Sequence, residues 1–72
     1  MTFNKITFEL TKMVEFSIKD IAEEIIYGAS FQMALKYREA YADYDELTKE
    51  QQRALRIAVY EKVVEILKKE GE

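Results

Sequence analysis

A chain of 72 residues with no cysteine, histidine or proline is expected to form one domain, near the lower size limit for folding unaided. No disulfide and no histidine-bearing zinc site can staple so small a core, which leaves well-formed helices, self-association or a partner to complete its stability. The net charge of −3 argues against bulk affinity for nucleic acid, and its acid is concentrated at residues 39–50, where Glu39, Asp43, Asp45, Glu46 and Glu50 face only Lys49.

Residues 5–10 open the pattern. Ile6, Phe8 and Leu10 alternate with Lys5, Thr7 and Glu9, as in a half-buried strand. Phe3, Ile6, Leu10 and Met13 also stand at helical spacing, so a helix is the competing reading. From Lys12 onward, Val14, Ile18, Ile21 and Ile25 recur at spacings of four, three and four, which lines one face of a helix. That helix covers at least 18–27. It begins either near residue 12, with Glu15 and Lys19 as an i,i+4 pair, or at Ser17, with Asp20 near the positive helix end. Phe16 lies off the stripe and favours the later start.

Gly28-Ala29-Ser30 is the expected internal boundary, since glycine accepts the left-handed conformation that closes a helix and serine caps the next. A helix over 31–44 follows, with Phe31, Ala34 and Leu35 on one side and Met33, Tyr37, Ala40, Tyr41 and Tyr44 on another. Residues 43–47 form the connector. Thr48-Lys49-Glu50-Gln51 matches a capping box, in which threonine and glutamine satisfy each other's free backbone N–H groups. It opens a last helix over 49–69 that ends with Lys68 and Lys69, has Glu65 and Lys69 as an i,i+4 pair, and stops at Gly71.

The last helix has a surplus. Leu55, Val59, Val63 and Ile66 form one apolar row; Ile57, Tyr60, Val64 and Leu67 form a second. Together they cover an arc of roughly 200°, where a helix on the surface of a monomer needs about 100°. Either this helix is touched from two sides within its own fold, or part of the arc faces another chain.

The remaining candidates are weighed by their chemistry. Without His or Cys, a catalytic base or nucleophile would have to come from Asp, Glu, Lys, Tyr, Ser or Thr in a pocket that detunes its pKa, and a short helical domain has little volume for one. No glycine-rich phosphate loop occurs. An EF-hand loop opening at Asp43 would need glycine at its sixth position and glutamate at its twelfth; Thr48 and Ala54 stand there, and a solvated acidic turn accounts for the acids. Tyr37, Tyr41 and Tyr44, beside Asp43, Asp45 and Glu46, make an amphipathic acidic face suited to a basic protein partner, or else rings leaning on the last helix.

The order strand 5–10, helix 12–27, Gly-x-Ser turn and helix 31–44 is loosely similar to the ribbon-helix-helix repressors. That resemblance implies a dimer whose strands enter the major groove with Lys5 and Thr7 outward. A helix–turn–helix arrangement around Gly28 would instead present Lys36 and Arg38. Glu9 and Glu39 would face phosphates unfavourably in these two arrangements.

The sequence therefore implies a mainly α domain of three or four helices, with or without one short N-terminal strand at 5–10. It implies a non-enzymatic regulator or inhibitor that binds another protein, or itself as a homodimer. The binding residues would be Ile57, Tyr60, Val64 and Leu67 with the tyrosine/acid face; a dimeric DNA-binding regulator is the alternative. No cofactor, metal, small-molecule substrate or membrane partner is expected. No apolar run approaches the roughly 20 residues that span a bilayer, and no apolar leader follows Met1, so a cytoplasmic location is expected.

Overall fold

The computed structural model describes residues 3–71; Met1, Thr2 and Glu72, the ends of the expected domain, lie outside the described residues. Among these the chain forms a two-stranded antiparallel ribbon, β1 (Lys5–Glu9) and β2 (Met13–Ser17), followed by four helices. The helices are α1 (Ile18–Ile26), α2 (Phe31–Tyr37), α3 (Tyr41–Glu46) and α4 (Lys49–Glu70). The architecture is mainly α, with an N-terminal strand as the alternation of residues 5–10 predicts.

The second strand is a correction. In the ribbon, Ile6 pairs with Phe16 and Phe8 with Val14, so these four point inward while Lys5, Thr7, Glu9, Met13 and Glu15 point out. The Phe8 and Phe16 rings meet edge to face at 6.0 Å. Val14 belongs to two patterns at once, alternation with Phe16 and helical spacing with Ile18. Pairing with β1 gives it the strand. Consequently the expected Glu15–Lys19 helical pair does not form, and Glu15 meets Lys5 across the ribbon at 3.6 Å.

Ser17 ends β2 and begins α1 without a loop. Its hydroxyl donates to the Asp20 carboxylate at 2.9 Å rather than accepting from the backbone, so the expected serine start is present but its side-chain cap is not. The Lys19 N–H donates to the Asn4 carbonyl, tying α1 to the start of the ribbon.

Two helix ends close in the same way. At Gly28 (φ 111°), the N–H of Gly28 donates to Ile25 and that of Ala29 to Glu24. At Glu39 (φ 56°), the N–H of Glu39 donates to Lys36 and that of Ala40 to Leu35. Both are paired-carbonyl terminations around a left-handed residue. The first was legible from its glycine. The second divides the expected helix 31–44 into α2 and α3, and its glutamate gives no such signal.

Ser30 accepts from the Met33 N–H at 3.2 Å and caps α2. Thr48 and Gln51 complete the capping box, with bonds of 3.1 and 3.0 Å. α4 runs from that box to Gly71, as the sequence predicts, and Glu65 bridges to Lys69 at 3.8 Å.

The core gathers Val14 and Phe16 from the ribbon, Ile18, Ile21 and Ala22 from α1, Phe31, Ala34 and Leu35 from α2, Leu47, and Leu55 and Val59 from α4. α1 lies along α4 and α2 packs on α1. The dimensions of 42 × 23 × 16 Å describe an elongated, thin body. α4 has 22 residues, or about 33 Å, against about 13 Å for the nine residues of α1. α1 therefore covers only part of the length of α4.

Candidate protein-binding face

The apolar arc of α4 divides into two faces with opposite environments. Leu55 and Val59 are fully buried, and Val63 and Ile66 pack against the core. Ile57, Tyr60, Val64 and Leu67 are 52, 39, 51 and 48% exposed. At 100° per residue the outer row is centred roughly 150° round the helix from the row Leu55, Val59, Lys62 and Ile66. Lys62 is nonetheless buried on the inner face, where its ammonium stands 3.3 Å from Glu65, so a charged side chain is covered while four large apolar ones are not.

The outer row is ordered by its neighbours. The Tyr60 ring stacks on Phe31 with centroids 6.1 Å apart, and Phe31 in turn meets Tyr44 edge to face at 5.4 Å. The Arg56 guanidinium lies 5.8 Å from the centroids of both Phe31 and Tyr60, within cation–π range. Arg56, Ile57, Tyr60, Glu61 and Val64 line a shallow, open, mainly apolar depression of about 490 Å³. A depression this open does not enclose a small molecule. It presents a ridge and shoulders of the kind into which another helix settles.

Arg56 and Glu61 were missed as site residues. The signals available were the i,i+4 spacing of Arg56 and Tyr60 and the five-residue spacing of Arg56 and Glu61 on either flank of the row.

The residues of the tyrosine/acid face expected at 37–46 are divided between two helices. Tyr37 stands on α2, Tyr41 and Tyr44 on α3, with the Glu39 turn between them. Tyr41 and Tyr44 are half-buried, 6.4 Å apart, and Tyr44 touches the Phe31 core ring. Tyr37 is exposed and borders a polar groove with Lys5, Glu15, Asp20, Arg38 and Asp43. Asp45 and Glu46 are exposed at the end of α3.

Of the residues named for DNA contact, Lys5 and Arg38 border that same polar groove, and each of these two faces a carboxylate. Lys5 pairs with Glu15, Thr7 faces solvent beside it, Lys36 stands over the Tyr41 ring at 5.2 Å, and Arg38 donates to Glu24 at 2.9 Å. The ribbon is completed within one chain, so β1 pairs with β2 rather than requiring a second copy.

No helix among the described residues is long and apolar enough to cross a membrane. Comparison with protein-family models, with curated proteins and with solved structures finds no match to this chain.

Proposed function

We propose that this protein acts by binding another protein chain through the outer face of α4, as a regulator or inhibitor rather than as a catalyst. One observation carries the reading. Ile57, Tyr60, Val64 and Leu67 all stand exposed outside the buried core, with only Tyr60 leaning on its edge at Phe31, yet these four form a continuous apolar row on the longest and best-capped helix.

A contiguous apolar patch on a small domain marks an interaction surface more often than scattered single residues do. The row sits on a rigid element, and Tyr60 is already held by Phe31 and Arg56, so little side-chain freedom remains to be lost on association. Tyrosine and arginine are also the residue types that most often anchor interfaces.

The test is affinity capture from source cells with the wild-type chain and with Val64→Lys/Leu67→Lys as paired baits. Both baits are first checked for equal helicity by circular dichroism. A partner held by the wild type and lost by the variant supports the reading. Identical captured sets, or a variant that no longer folds, would remove it, because the row would then be either inert or part of the interior.

A further inference from the structure

We infer that the outer face of α4 pairs with the same face of a second copy of this chain, the two helices running parallel about a two-fold axis. The inference rests on the binding role proposed for that face and names its occupant.

The spacing of the row is three, four and three, which is the seam of a two-stranded coiled coil. In heptad terms Ile57 and Val64 occupy the a positions and Tyr60 and Leu67 the d positions. Branching at the β-carbon at a, with leucine at d, is the packing preference of parallel pairs; Ile57, Val64 and Leu67 follow it, and Tyr60 is the departure. In a parallel pair each g residue faces the e residue five positions on in the other helix. Arg56 is at g and Glu61 at e, and both are exposed. The two-fold axis makes their cross-helix contact twice. The adjoining g-to-e contacts are Lys49 to Ala54 and Val63 to Lys68, so none sets like charges together.

An antiparallel pair centred on the same row gives a mixed result. It matches Arg56 with Glu70 but brings Glu61 against its own copy. Charge therefore selects the parallel orientation, and the shapes of Ile57, Val64 and Leu67 agree with it.

The seam is short. Arg53 occupies the d position before Ile57 and would meet its own copy there, so the pairing spans about two heptads. Contacts of this size lie at the weak, exchanging end of protein association, and we expect a dissociation constant on the order of tens of micromolar.

Sedimentation equilibrium on the purified full chain reads this directly. The average mass is expected to rise from one chain to two across that concentration range, and Val64→Lys to shift the midpoint upward at least tenfold. Arg56→Glu alone is expected to weaken the dimer, and the reversed pair Arg56→Glu/Glu61→Arg to restore it. Because the chain has no cysteine, Val64→Cys introduces a single thiol; under mild oxidation it should link two copies through position 64, which faces itself only in a parallel pair.

A chain that stays monomeric to about ten times that range overturns the second-copy proposal. Capture of another protein through α4 would still stand, since the purified sample contains no other partner. A dimer indifferent to Val64→Lys places the contact elsewhere. A dimer that resists linkage at position 64, but links in a mixture of Tyr60→Cys and Val64→Cys chains, is antiparallel and also overturns it.

Discussion

The two faces of α4 share a backbone, a residue vocabulary and a pair of good caps, yet they differ in nearly everything else. Leu55 and Val59 are sealed beneath α1 and the core, while Ile57 and Val64 stand half in water. Apolar character did not decide which side was covered. Placement did: α1 packs along α4 with Leu55 and Val59 in the shared core, while the outer row stays exposed apart from the Phe31 ring beside Tyr60. Greasy residues on a small domain are thus divided between those that build the interior and those left to meet something else, and chemical type alone does not tell one group from the other.

The sharpest way to break this comparison is to truncate the inner face. Leu55→Ala is expected to lower folding stability by about 2–5 kcal/mol, since it opens a cavity in a fully packed site. That approaches the whole net stability of a domain this size, so urea unfolding followed by circular dichroism should show a chain largely unfolded without denaturant. A loss below about 1 kcal/mol would mean that the inner face is not the keystone.

The two helix ends allow a second comparison, between a left-handed glycine and a left-handed glutamate. Gly28→Ala is expected to cost about 1–2 kcal/mol. A Cβ there meets no atom within 4 Å, so the loss comes from the φ of 111° rather than from a clash. Glu39→Gly should do the reverse and raise the thermal midpoint, stabilising by about 0.5–1 kcal/mol as the strain at φ 56° is relieved. If both substitutions destabilise equally, the glutamate contributes something beyond its backbone conformation.

The smallest expected effect is on the outer face. Val64→Lys should change folding stability by no more than about 0.5 kcal/mol, as for an ordinary surface position. The measurement belongs at low micromolar concentration, below the range where self-association would add its own stabilisation. A large loss there would show the row to be core, and the contrast between the two faces would disappear.

Much of the punctuation was legible because it is local chemistry. The capping box at Thr48–Gln51, the glycine turn at 28, the Ser30 cap and the extent of α4 each depend on a few neighbouring residues whose hydrogen bonds are specified by side-chain type. The strand at 5–9 was legible by alternation, but its partner was not. Residues 13–17 are too few to separate a period of two from the helical spacing that Val14 shares with Ile18, and Leu10-Thr11-Lys12 carries no glycine, proline or asparagine to announce a turn. The break at Glu39 was hidden for a related reason: a left-handed glutamate looks like any other in sequence. That single residue places Tyr37 on α2 and Tyr41 and Tyr44 on α3, where an unbroken helix would have carried all three.

What the sequence determined by itself was the quantity of apolar surface on α4 and its arrangement in two rows, since both follow from residue identity and the pitch of a helix. What only the tertiary structure decided was which row is covered. That choice depends on where α1, α2 and the ribbon come to rest and how far along α4 they extend, and these are properties of contacts between residues distant in the chain. Burial is a relation between elements, so no single segment encodes it, and the row left outside became visible only once every other element had been placed.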